Sequence, residues 1–332
     1  MGRDDGQGER AFVQIGELGN AVSELSQMLS QAIVLPFRSP RVGRRAPARA
    51  VAMAAGPART LAMNVRGSLF LASGAVADDA LVDLIHRAGG RRARAVVLPA
   101  ASYSFTGAGE RYRRYFQRFG MDRADTLDVS TRARADDPAL AASIASADLL
   151  VLGGGDPGLL LDVLGGTAAA AAIAGAMVRG AVVAAFGPAA TAAGEWALGR
   201  EEERGERAPS AGGGRRRGLG LLPGTLVATG AHAAGRIAAV FGTALTGGLQ
   251  ALLLDDRAAL LVRPGWQAEV RAGTVLAVGG GPVPLRGYGK AQRPEDAPLG
   301  GVYTRVAPAG WRLDLAAHVV LPPGALSGAE QP

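Results

Sequence analysis

The chain reads as an α/β protein built on a doubly wound, mostly parallel sheet. Three observations predict this. From Arg66 to about Leu245, short apolar runs alternate with helical stretches at the spacing of βαβ units. Runs such as Ala95–Leu98 and Ala181–Phe186 contain no polar residue, as expected of strands covered on both faces of a parallel sheet. Glycine-bearing turns then close the runs, at Ser73-Gly74, Gly153–Pro157 and Gly187-Pro188.

The elements follow in order. Residues 11–35 carry Leu18, Val22, Leu25, Leu29 and Ala32 at helical spacing, and Pro36 ends the pattern. This helix either docks on the protein's own surface or serves a partner. The Arg/Pro/Ala-rich stretch Arg38–Arg49 reads as a solvated linker. A polyanion-binding arm is the alternative, weakened by the absence of interleaved aromatic residues. Residues 1–60 are therefore an N-terminal helical extension with a linker, and 61–325 the α/β domain.

Within that domain, Ser68–Ala72 is a strand and Asp78–Ala88 a helix with Leu81, Leu84 and Ile85 on one face. Ala95–Leu98, Thr126–Val129 and Asp148–Leu152 are further strands. Glu110–Phe119 and Pro138–Ala147 are the helices between them, and Leu159–Leu164 and Ala168–Val178 lead into Ala181–Phe186. An Ala-rich helix is expected from Gly187 to about Leu198, with proline in its first turn. Glu201–Arg217 reads as a charged, Gly-rich surface loop. Gly224–Ala228 is a strand, Ala231–Leu245 a helix, and Ala251–Leu321 a set of β-hairpins completing one edge of the domain. Ligands in such sheets sit at the carboxyl ends of strands. The loops at Ser73-Gly74, Ala100–Ser102, Gly153–Pro157 and Phe186–Ala189 therefore ring one expected pocket.

Composition narrows the chemistry. With 332 residues the chain can bury a full-sized core. Its formal charge of +7 comes almost wholly from arginine, Lys290 being the one lysine. The Ala, Gly and Arg bias suggests a GC-rich genome, so the charge alone does not signal nucleic acid. There is no cysteine, which removes disulfides and thiolate metal sites. The three histidines, His86, His232 and His318, are far apart in sequence. No metal site, cofactor or membrane span is expected, and the absence of a secretory leader at the start of the chain suggests a cytoplasmic protein.

Local motifs are ambiguous by themselves. Gly153–Pro157 could cradle a phosphate but lacks the Lys-Ser/Thr of a P-loop, and a tight turn accounts for it as well. Asp255-Asp256 reads as a solvated turn before it reads as a metal pair. The junction after Ala181–Phe186 has the outline of a nucleophile elbow, a strand, sharp turn and helix that present a serine in the pattern G-x-S-x-G. Its five residues here are Ala185-Phe186-Gly187-Pro188-Ala189. The outline is kept and the serine is not.

Taken together, several phrases resemble the cyanophycinase/peptidase E family of serine exopeptidases. These are Ala95–Ser102 with Arg111–Gly120, Ala147–Pro157 through Leu164-Gly165-Gly166-Thr167, Gly218–Gly224 with Gly235-Arg236-Ile237, and Asp255–Val262. The resemblance covers about residues 66–280. It implies a class I glutamine amidotransferase-like, flavodoxin-like fold and a substrate pocket at Ser102, Gly154, Gly155, Asp156, Pro157, Phe186, Pro188 and Arg236. It also implies that the family's serine falls on Gly187, its histidine on Gly230 and the glutamine near its substrate on Pro157. Glycine can neither attack nor accept a proton, and Pro188 lacks the N–H that would help hold an oxyanion. Thr191 and His232 are the candidate substitutes, although a threonine that packs or bonds back to a carbonyl of its own helix is far the commoner case. The expectation is a catalytically degenerate member that binds a small peptide ligand or assembles as a homodimer or with an active paralogue. The alternatives are a peptidase with a rebuilt nucleophile–base pair, and a polyanion binder using its Arg-rich segments.

Overall fold

The structure, a computed structural model, describes residues 65–74, 78–100, 102, 105–153, 155–199, 214–230, 234–247, 249–281 and 301–323. The helix and linker expected within residues 1–60 lie outside them, as do Gly154, His232 and residues 200–213 of the charged insertion.

Five parallel strands make the centre of the first sheet: β1 (Ser68–Ala72), β2 (Arg94–Leu98), β3 (Arg123–Thr126), β4 (Leu149–Leu152) and β5 (Val182–Phe186). Their spatial order is β3-β2-β4-β5-β1. Alternate residues feed two cores, as the two-residue period of a strand requires. Leu69, Leu71, Val96, Leu98, Leu150, Leu152, Val183 and Ala185 enter one. Phe70, Ala95, Val97, Leu149, Val151, Val182, Ala184 and Phe186 enter the other. Helices α1 (Asp78–Arg87) and α2 (Phe105–Arg118) cover the second core with Leu81, Leu84, Ile85 and Phe116. After the short α3 (Arg132–Ala135), helices α4 (Pro138–Ala145), α5 (Pro157–Leu164) and α6 (Ala168–Arg179) cover the first with Leu140, Ile144, Leu160, Leu164 and Ile173. The winding is double, as expected.

Side-chain caps set the helix starts. Asp137, Asp156 and Thr167 each accept a backbone N–H from the first turn of α4, α5 and α6. This explains the Leu-Gly-Gly-Thr phrase. Gly166 sits at φ +71 to reverse the chain, and the Thr167 hydroxyl donates to the Leu164 carbonyl at 2.7 Å while capping α6. No single helix among the described residues is long and apolar enough to cross a membrane.

The parallel order describes only the sheet centres. Beyond β1, strands β10 (Ala259–Arg263), β11 (Gln267–Ala272), β14 (Arg312–Asp314) and β15 (Val319–Leu321) continue the sheet antiparallel. A second sheet holds β6 (Gly194–Leu198), β7 (Arg215–Arg217), β8 (Leu222–Thr229), β9 (Gln250–Leu254), β12 (Thr274–Gly281) and β13 (Gly301–Pro308), in the order β13-β12-β9-β8-β6-β7. The C-terminal hairpins therefore serve two sheets rather than one edge.

Two expectations are corrected. The Ala-rich segment after Phe186 is no long helix: residues Gly187–Ala193 form a 3-10 turn, and Gly194–Leu198 is β6. The Ala192 and Gly194 carbonyls, which a helix would use internally, accept instead from Leu219 N at 2.8 Å and Gly220 N at 3.0 Å. Tertiary pairing overrides alanine's helix propensity. Likewise, the end of the charged insertion is not loop, since Arg215–Arg217 pairs with β6 as β7.

On α2, Glu110 receives Arg113 at 2.7 Å and Arg114 at 2.7 Å. Hydrogen bonds from Arg113 and then Arg114 lower its pKa from 4.5 to about 2. The folded value is depressed, so the associated stabilisation is present above pH 4.5 and is lost as pH falls towards 2. A carboxylate so exposed contributes little to stability, and the expected signature is spectroscopic. In an NMR titration the Glu110 carboxyl should remain ionised at pH 3, and in Arg113→Gln/Arg114→Gln it should titrate in the ordinary carboxylate range.

Candidate functional site

The carboxyl ends of β4, β5 and β8 converge on one cleft. It is lined by Gly155, Asp156, Pro157, Gly158 and Leu161 after β4, by Pro188 after β5, and by Ala197, Leu198 and Arg216 of β6 and β7. Thr229 closes β8, and Arg236 projects from α7 (Ala234–Gly247). The volume is about 210 Å³, and the cleft opens to solvent.

Each wall is fixed by local chemistry. At the β4–α5 junction Asp156 caps α5, its Oδ1 accepting from Leu159 N at 3.0 Å, and Pro157 takes the first helical position. At the end of β5 the chain turns at Gly187, φ +59, which L side chains adopt only with strain, and Pro188 follows exposed. At the end of β8 Gly230 turns at φ +73. Arg236 reaches back to that strand end, its Nη1 donating to the Thr229 carbonyl at 2.6 Å. The two glycines, next in sequence to Pro188 and Thr229, flank the cleft from different sheets.

Of the expected pocket residues, Gly155, Asp156, Pro157, Pro188 and Arg236 line the cleft, and Gly154 lies outside the described residues. Phe186 does not line it. Val182, Ala184 and Phe186 share one face of β5, so the Phe186 ring packs in the other core, 6.1 Å from Phe70 and 6.0 Å from Tyr112. Ser102 is also absent from the lining; its N–H donates to the Pro99 carbonyl at 3.0 Å in the turn after β2.

Thr191 is buried, at 1% exposure, and its hydroxyl donates to the Pro188 carbonyl at 2.8 Å. His232 lies outside the described residues. Asp255 is a turn residue: Oδ1 accepts from Arg257 N at 3.0 Å and Oδ2 from Thr274 N at 2.8 Å. Among the described residues no cluster of three His, Asp or Glu side chains could hold a metal ion.

Sequence reasoning missed Arg216 and Thr229. Arg216 stood in a run of three arginines within an apparent loop, and only its pairing with Ala197 gives it a direction. Thr229 fell between the expected strand Gly224–Ala228 and the helix expected from Ala231. The cleft thus presents two guanidinium groups, one carboxylate and the small apolar surfaces of Ala197, Leu198 and Leu161. Such a lining can hold and orient a small polar ligand.

The model of "Peptidase family S51" matches residues 69–264, more than half of the chain. The crystal structure of a peptidase from an acI-B1 Actinobacterium is similar, with a TM-score of 0.55 at 17% identity over 76% of this chain and 99% of that one. A second, named "Putative Peptidase E Protein", from Listeria monocytogenes EGD-e, gives 0.46 at 16% identity over 62% of this chain and 98% of that one. No curated protein matches.

Proposed function

Because the chain belongs to peptidase family S51, we propose that it keeps the family's fold and ligand cleft and has lost peptide hydrolysis, acting by binding a small ligand. The observation that carries this reading is the pair of bare turns beside the cleft. Gly187 at φ +59 and Gly230 at φ +73 stand where the resemblance puts nucleophile and base, and neither offers a side chain. A serine exopeptidase needs a nucleophile, a base to take its proton, and donors for the oxyanion. Pro188 supplies no N–H after the turn. The Thr191 hydroxyl, four residues beyond Gly187, is buried and donates to the Pro188 carbonyl. Binding groups are retained: Arg236, Asp156 and the capped turn of α5 all border the cleft.

The test is incubation of the purified full chain with cyanophycin, β-aspartyl-arginine and α-aspartyl dipeptides, reading free amino groups. No turnover above a buffer blank is expected, together with saturable binding of an aspartyl ligand by calorimetry. Turnover that Thr191→Ala or His232→Ala abolishes would replace this reading with a rebuilt active site.

A further inference from the structure

Resting on that ligand-binding reading, we infer that Arg216 is the specificity-determining residue of the cleft. It forms a cross-bar that narrows the cleft between β7 and α5 and so disfavours longer occupants. Arg216 belongs to β7, the edge strand of the second sheet, opposite Ala197 of β6. Strand alternation sends Arg215 and Arg217 to the other face, where their guanidinium carbons stand 4.4 Å and 4.1 Å from the centre of the Trp196 ring. Arg216 is therefore directed to the cleft side.

There it crosses to α5. Nη2 meets Asp162 Oδ1 at 2.6 Å, and Nη1 donates to the Gly158 carbonyl at 3.3 Å. Gly158 and Arg216 both line the cleft. One rigid fork thus joins two walls, and two bonds to one helix fix its plane. The consequence is steric and directional. With the bar in place the cleft is narrowed between β7 and α5, and without it a longer occupant gains room between these two walls. The Arg216–Asp162 pair is partly exposed, at 28% and 49% for the two side chains, so it adds little to overall stability. Removing it should change what fits without unfolding the chain.

The experiment compares affinities for two probes, L-aspartate and β-aspartyl-arginine, by calorimetry on the full chain. The native protein sets the reference ratio. Arg216→Ala should move the affinity ratio about tenfold towards the dipeptide. Asp162→Asn, which loosens the fork from α5, should move it the same way by less. Arg217→Ala, on the opposite face of β7, should leave the ratio unchanged. Thermal melts accompany each variant, and Asp162→Asn decides the matter if Arg216→Ala does not fold. An unchanged ratio in folded Arg216→Ala, or in Asp162→Asn where that variant decides, overturns this inference while the ligand-binding reading stands. If the native chain binds neither probe, that reading fails and the role of Arg216 fails with it.

Discussion

Gly218→Ala should lower the stability of the domain by about 3 kcal/mol, the upper part of the range for overpacking. In a domain of this size that corresponds to a fall in Tm of roughly 6–12 °C. A Cβ at this position would overlap the Gly194 carbonyl oxygen and stand 3.0 Å from the Ala192 carbonyl oxygen. Both obstacles are backbone, so no side-chain rotation relieves them. The residues around Gly218 lie flat against the turn between β5 and β6. Gly218 N donates to Glu195 O at 2.9 Å, Leu219 N to Ala192 O at 2.8 Å, and Gly220 N to Gly194 O at 3.0 Å. This seam holds β7 and the 3-10 turn, and with them Arg216 and Pro188, in the cleft wall. Ligand binding should therefore fall with stability. Gly224→Ala is the control. At φ +66 with nothing within 4 Å of its Cβ, it bears only the left-handed backbone cost, about 1 kcal/mol. Equal melting temperatures for the two variants would show that the seam yields without cost.

The parts of the fold legible in sequence are those where one physical cause dominates. Ala181–Phe186 announces a central strand because both faces of β5 are covered, leaving nowhere for a polar residue. Asp156-Pro157 and Leu164–Thr167 announce helix starts because capping is local chemistry. The misread parts depend on distant partners. Gly187–Leu198 is rich in alanine, yet the carbonyls a helix would need are taken by residues 219 and 220. Arg215–Arg217 looks like a solvated charge run until Ala197 and Trp196 of β6 give it a register. Phe186 is a different kind of miss. The two-residue period already grouped it with Val182 and Ala184, away from the cleft, and its nearness in sequence to Gly187 obscured that. The site was legible where it follows strand ends, at Gly155–Pro157, Pro188 and Arg236. It was not legible at Arg216 and Thr229, whose place depends on how the second sheet meets the first.

Rebuilding the lost chemistry stepwise should give turnover in a fixed order, and that order tests the proposed loss of function most severely. Gly187→Ser alone should remain inert, since the position where the resemblance puts the base is Gly230 and either missing partner costs most of the rate. Adding Gly230→His supplies a base from the strand end across the cleft, and hydrolysis of β-aspartyl-arginine should first become measurable there. Adding Pro188→Ala restores an N–H directly after the nucleophile, and kcat should rise about a hundredfold to a thousandfold, the worth of one oxyanion donor. Both new side chains sit at positive φ, +59 and +73, at a cost of about 1–2 kcal/mol each, so rates are to be measured well below each variant's melting temperature. Should Gly187→Ser alone match the triple variant, a base already exists in the chain, with His232 the first to replace, and the cleft would be one substitution from activity. Should the folded triple variant bind ligand and still not turn over, the geometry of the turn itself would be at fault: residues 187–193 wind as a 3-10 segment into β6, aiming the new hydroxyl differently from one at the head of a regular helix.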